Sequence, residues 1–244
     1  MKIFSRLIVV FVASCFCSGL QVQPAPVWPL LAQTTVSPSV AQPLNIREGE
    51  RRVESAALKS LLAIETGNKL REKKQFEAAL RVYQDAVRLQ PENGGAWFYL
   101  GMGYVDLDRF EEARSSFRRS VLAAPKDPAN WFGLCLAHYL LEDYELAIGT
   151  CKEVVRLDPE QADGWAWMGL GYARQRQWDK AIPSLERAAA LGTKNSQAWY
   201  TLGLRYARQG QRTKVLRVYR RLQELDPVQA SKFFGTAVSP QVRT

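Results

Sequence analysis

The chain has 244 residues, of which 47% are hydrophobic and 23% charged, a balance that fits a folded protein and excludes a disordered one. A single histidine, His138, leaves little scope for histidine-based metal or acid–base chemistry. The formal charge of +9 is uneven: Arg174 to Thr244 carries 14 Lys/Arg against 4 Asp/Glu, whereas Gln33 to Ala173 carries 17 against 20.

The N-terminus reads as an export signal. Lys2 and Arg6 give a short positive start, and Leu7 to Cys17 is an uncharged apolar run. That run is shorter than the roughly 20 residues a membrane span needs, and Pro24, Pro26 and Pro29 follow it. Cleavage after Ala32 makes 1–32 a signal peptide and places the folded chain in the periplasm or cell envelope. Val12-Ala13-Ser14-Cys15 also resembles a bacterial lipoprotein processing box, so a lipid anchor on Cys15 stays open. Residues 33–49, with Pro38 and Pro43 and no apolar period, read as a linker. A helical pattern starts at about Glu50 and places Val53, Ala56, Ala57 and Leu61 on one side.

Beyond it, one period of 34 residues runs without gaps through Trp97, Trp131, Trp165 and Trp199. Leu100, Leu134, Met168 and Leu202 keep the same spacing, as do Gly67, Gly101, Cys135, Gly169 and Gly203. Leu70, Tyr104, His138, Tyr172 and Tyr206 continue the phase, followed by Ala79, Ala113, Ala147, Ala181 and Val215. Pro91, Pro125, Pro159 and Pro227 close the units, with Thr193 replacing one. Each unit holds two apolar helical stripes split by a polar turn, and the proline separates one hairpin from the next. The small residues lie where two helices approach closely. One hairpin cannot bury its own apolar face, but a stack can.

This pattern resembles the tetratricopeptide repeat, W-x2-L-G-x2-Y with a later Ala, an aromatic and a terminal Pro. The resemblance implies an all-α, right-handed superhelical solenoid of five tandem 34-residue helix–turn–helix repeats. The repeats fall at about 60–93, 94–127, 128–161, 162–195 and 196–229, within a solenoid of 50–229 and before a tail of 230–244. The outer units depart from the pattern, as terminal repeats do: Ala63 and Thr66 replace Trp and Leu, and Arg212 replaces an aromatic. Phe233 and Phe234 are placed to cover the open end of the last hairpin.

In this family the first helix of each hairpin lines a concave groove that binds partner segments. Carried onto this sequence, the groove phases give Asn68, Arg71 and Glu72 first. Phe98, Met102, Val105 and Asp106 follow, then Phe132, Leu136, Tyr139 and Leu140. Asp163, Ala166, Leu170 and Arg174 come next, then Gln197, Tyr200, Leu204 and Arg208. The middle is apolar, as interaction surfaces are, unless curvature or the N-terminal segment covers it. A carboxylate clamp of the chaperone-binding type is disfavoured, because only Asn68 matches it.

A second candidate surface is basic, formed by Arg205, Arg208, Arg212, Lys214, Arg217, Arg220 and Arg221. Such a surface is either a solvated face or a contact for anionic lipid, cell-wall polymer or an acidic protein. Nucleic acid does not suit an exported chain. In the third unit, Cys135 holds the Gly phase and Cys151 the aromatic phase of the antiparallel helix. The two face each other, either as a structural disulfide or as two small buried thiols. No nucleophile elbow, phosphate loop, metal cluster or paired carboxylates stand out, so neither catalysis nor a cofactor is expected. The expectation is an exported scaffold that binds a protein or peptide in its groove. An envelope-surface factor acting through its basic end is the alternative.

Overall fold

The structure, a computed structural model, describes residues 46–238, with side chains from Glu54 onward. The expected signal peptide, most of the linker and Cys15 lie outside the described residues. Helices make up the described part, with no strand among them. In chain order they are α1 Ile46–Glu72, α2 Phe76–Leu89, α3 Gly94–Val105, α4 Phe110–Ala123, α5 Pro128–Leu140, α6 Tyr144–Leu157, α7 Ala162–Arg174, α8 Trp178–Ala190, α9 Ser196–Arg208, α10 Arg212–Leu225 and α11 Pro227–Phe233. A π-helical turn, Phe234–Val238, follows α11. The first helix already begins at Ile46, not at about Glu50, and runs for 27 residues, roughly twice the length of each later first helix.

Odd and even helices pair into five antiparallel hairpins, each packed against the next. Within a hairpin the turn is made the same way every time. Lys74, Asp108, Glu142, Arg176 and Gly210 sit in the left-handed region at φ 59, 56, 64, 61 and 69°. The following amide reaches back to close the helix end: Gln75 N donates to Leu70 O at 2.9 Å, and Asp143 N donates to His138 O at 2.9 Å. This closure satisfies carbonyls that the helix end would otherwise orphan.

The small residues of the repeat lie under large ones. A Cβ built on Gly67 would fall 2.3 Å from the Tyr83 ring, on Gly101 2.6 Å from Phe117, and on Gly169 2.8 Å from Leu185. Tyr83, Phe117 and Leu185 are all buried, so each such hairpin is a side chain lowered onto bare backbone.

The recurrent tryptophans do more than fill space. Each is half-buried, and its indole nitrogen donates to the carbonyl six positions earlier, in the turn that enters its own hairpin. Trp97 reaches Pro91 O at 2.7 Å, Trp131 reaches Pro125 O at 2.8 Å, Trp165 reaches Pro159 O at 2.9 Å and Trp199 reaches Thr193 O at 3.0 Å. Thr193 serves as well as proline because only its carbonyl is used.

At the C-terminal end the chain differs from the sequence expectation. Pro227 closes the fifth unit and also opens α11, with Asp226 capping it by accepting from Gln229 N at 3.0 Å. The stack therefore continues past 229, and the segment expected to be a tail is helical to Val238. Phe233 is fully buried against Gly203 and Val218, as expected of a cover. Phe234 is not a cover. It remains exposed and only meets the Tyr219 ring, with centroids 5.4 Å apart.

Candidate partner-binding groove

Consecutive first helices touch one another, α1 with α3, α3 with α5, α5 with α7 and α7 with α9, while consecutive second helices make at most marginal contact. The stack is thus tighter along its odd helices, which places them on the inner face of its curve. This is the face on which the groove residues were expected.

The N-terminal end of that face is polar and internally paired. Arg71 donates to both carboxylate oxygens of Asp106, from Nη2 to Oδ1 at 3.1 Å, and this pairing holds its guanidinium above the usual range. Asn68 accepts a hydrogen bond from the Tyr83 hydroxyl at 2.7 Å, and burial pushes that phenol up to about 12. Phe98, Met102 and Val105 are half-buried and pack on the cluster around Phe117, with the Phe98 ring 5.7 Å from that of Phe117.

The centre is aromatic. Tyr139 lies between Trp167, at 4.8 Å, and Tyr144, at 5.4 Å, both edge to face. Arg174 stands 5.0 Å over the Tyr144 ring and reaches Glu142 at 3.4 Å. Burial raises the Tyr139 phenol, so it stays a neutral donor. Trp167 and Tyr144 were not among the sequence candidates. Their phases hold Tyr99, Gly133 and Thr201 in one case and a general aromatic in the other, so only the folded stack brings them to the groove. Phe132, Leu136 and Leu140 are half-buried on α5 beside this cluster.

Leu170 is a correction. It is only 2% exposed, packed in one core cluster with Ala166, Leu185, Ala198 and Leu202, because α9 closes over it. Ala166 is likewise core. Tyr200 and Leu204 stay half-buried against the same cluster, with the Tyr200 ring 5.9 Å from Phe233.

The seven basic residues do not form one surface. Arg205 is half-buried on the far side of α9, its guanidinium 5.1 Å over Trp178. Lys214 lies 4.6 Å over Tyr206 and 3.3 Å from Glu186, which also accepts from the Tyr206 hydroxyl at 2.7 Å. Arg221 pairs with Glu224 at 2.6 Å. Arg208 and Arg212 are exposed at the tip of the last hairpin, on either side of its turn. Arg217 and Arg220 remain together with the Arg221–Glu224 pair, and with Trp199 and Leu216 these residues line an outer cleft of about 490 Å³.

Cys135 and Cys151 are both fully buried, with Cα atoms 5.3 Å apart across the α5–α6 hairpin, a span that a disulfide bridges. Their separation of 16 residues is that of Gly67 and Tyr83 or Gly101 and Phe117. Two sulfurs here take the volume that elsewhere belongs to one large side chain over a glycine. Among the described residues no group of three or more His, Cys, Asp or Glu is arranged to hold a metal, and no helix is long and apolar enough to cross a membrane.

The tetratricopeptide repeat model matches residues 64–128, 100–162 and 168–230, together more than half of the chain. The chain belongs to the tetratricopeptide repeat family. No curated sequence is similar enough to this tetratricopeptide repeat protein to count as a relative. Solved structures share its fold. A thermophilic tetratricopeptide repeat protein of Thermus thermophilus, TTC0263, is 22% identical with a TM-score of 0.61, over 73% of this chain and 98% of that one. MamA is 24% identical with a TM-score of 0.55, over 68% and 96%. YrrB, described as a tetratricopeptide repeat protein with an unusual peptide-binding site, is 21% identical with a TM-score of 0.53, over 75% and 95%. At these identities the likeness is one of fold. Proteins built from this repeat serve as scaffolds for interactions with other proteins and peptides.

Proposed function

We propose that this tetratricopeptide repeat protein is an exported scaffold that holds an extended segment of a partner protein at the Tyr139–Tyr144–Trp167–Arg174 cluster. The observation that carries this reading is the cluster itself: Tyr139 of α5 with Trp167 and Arg174 of α7, joined by the Tyr144 ring at the start of α6 and flanked by Phe132, Leu136 and Leu140. Rings bind apolar anchors with little loss of conformational freedom. Arg174, already lying over a ring, adds a fork for a carboxylate. The segment that fits has an apolar or aromatic anchor followed by an acidic residue.

Selection of peptides from a random displayed library against the purified chain tests this. Enriched peptides should carry that pattern and bind Tyr139→Ala and Trp167→Ala at least 10-fold more weakly, a loss of about 1.4 kcal/mol or more, while helical content stays unchanged. Peptides that bind the variants as well as the native chain would exclude this face. Export rests on the positive start and apolar run of residues 1–17 and is tested by the mass of the protein isolated from its host. In an oxidising compartment the Cys135–Cys151 pair would be bridged.

The alternative use of the basic end is favoured by one feature, the Arg217–Arg220 cleft beside Trp199. Binding there to anionic vesicles or polymer would fall steeply with salt and be lost in Arg217→Glu. Binding unaffected by either change removes that reading.

A further inference from the structure

We propose that the outer face of α1 is a self-association surface, on which a second copy of this chain lays its own α1 antiparallel about a twofold axis between Leu61 and Leu62. One side of α1 packs into the stack through Ser60, Ile64 and Gly67, all buried. On the opposite side Leu58, Leu61 and Leu62 are 59, 57 and 52% exposed. At three- and four-residue steps they share that side with Glu54, Glu65 and Lys69. A contiguous apolar stripe framed by charge is the composition of an interface, not of a solvated helix.

The two ends of the solenoid are unequal. At the C-terminal end α11 seals the last hairpin with Phe233. At the other end, among the described residues, α1 packs on α2 and, to a lesser extent, α3, and no hairpin stacks before it. Its 27 residues extend about 40 Å, enough for a helix-length contact.

The charges select the occupant and its direction. In the antiparallel arrangement Leu61 stands level with Leu62 of the second copy, and Glu54 stands level with its Lys69. The twofold axis repeats both relations, giving two Leu–Leu contacts and two opposite-charge pairs. Leu58 meets the second copy's Glu65, whose charge is already accompanied by Lys69 at 2.6 Å within its own helix. A parallel arrangement sets Glu54 against Glu54, Glu65 against Glu65 and Lys69 against Lys69, which repels. Because the same patch serves both copies, association closes at two and does not grow into a filament.

Sedimentation velocity of the full chain across a micromolar to high-micromolar range tests the proposal, with circular dichroism to confirm that each variant keeps its helices. The native chain is expected to pass from monomer to dimer. Leu61→Asp should weaken the dimer by about 100-fold or more, leaving the fold intact because the site faces solvent. Glu54→Lys alone and Lys69→Glu alone should each weaken it, and the two together should restore it, since the pairs then re-form with signs exchanged. A photo-reactive residue in place of Leu61 should crosslink to α1 of a second copy. A native chain that is monomeric throughout overturns the proposal, as does a dimer indifferent to Leu61→Asp. Crosslinking to residues 1–45 of the same chain also overturns it and assigns the face to that segment.

Discussion

The indole nitrogen of Trp131 donates a hydrogen bond of 2.8 Å to the carbonyl oxygen of Pro125, tying the turn that leaves the second hairpin to the first helix of the third. The same bond at Trp97, Trp165 and Trp199 makes it the repeated fastener of the stack. Trp131→Phe keeps most of the apolar ring but removes the donor, leaving a carbonyl short of its partner. The expected cost is about 1 kcal/mol, seen as a lower urea midpoint with an unchanged slope. An unchanged midpoint would mean that water replaces the indole without loss.

Hairpin turns respond to glycine in opposite directions. Glu142 holds a left-handed conformation at φ 64°, which strains any residue with a Cβ, while Gly210 holds the equivalent place at φ 69° without strain. Glu142→Gly should therefore stabilise by up to about 1 kcal/mol, and Gly210→Ala should destabilise by about 1 kcal/mol. Thermal melting of both variants reads the signs, and equal signs would contradict the turn geometry.

A bridge between Cys135 and Cys151 would show itself through its dependence on reductant. Closing a loop of this length constrains the unfolded chain by about 3 kcal/mol. Adding reductant to the native protein should remove that much stability, measured by chemical denaturation. It should leave a Cys135→Ala, Cys151→Ala double variant unchanged. If reductant has no effect on the native protein, the pair is two packed thiols.

Acid should loosen the third hairpin through His138. The imidazole is 8% exposed, and its Nδ1 has no hydrogen-bond partner. Burial lowers its affinity for a proton, an effect that Asp143, 3.9 Å away, and Glu111 only partly oppose and that Arg114 and Arg118 reinforce. The folded-state pKa is thus below the ordinary value near 6.5, and the unfolded chain binds the proton more readily. The stability from the neutral ring is complete above that ordinary value. It declines as pH falls below it, toward the folded-state pKa. His138→Phe should flatten the pH dependence of the melting temperature in that window, and a dependence left intact would assign it to carboxylates.

The hairpin stack is legible in the sequence because each packing relation recurs at a fixed spacing: Gly67 under Tyr83 and Gly101 under Phe117 carry over directly to Cys135 beside Cys151. The groove is less legible because exposure depends on the next helix as well as on phase. Leu136 and Leu170 occupy the same place in their units, yet α9 brings Ala198 and Leu202 over Leu170 and buries it. Trp167 and Tyr144 escaped notice for the converse reason: nothing recurs at Trp167's place in the unit, and their proximity to Tyr139 exists only between hairpins. The split of the basic residues has a similar origin, since Arg205 and Lys214 find aromatic and acidic neighbours on α8 that lie far from them in sequence. At the C-terminus the Asp226-Pro227 pair both stops one helix and starts another, and counting units alone reads only the stop.

The buried Phe233 gives the solenoid a polarity in time as well as in space. Every junction is held by local contacts, so the hairpins open as neighbours in a row, and a row opens from its less anchored end. With the last hairpin pinned through Gly203 and Val218, fraying of the monomer starts at α1 and travels toward α10, like a zipper with its stop sewn at the bottom. Amide exchange should then slow progressively along the chain, fastest in the first hairpin and slowest near the wedge, and Phe233→Ala should level that gradient by freeing the second end.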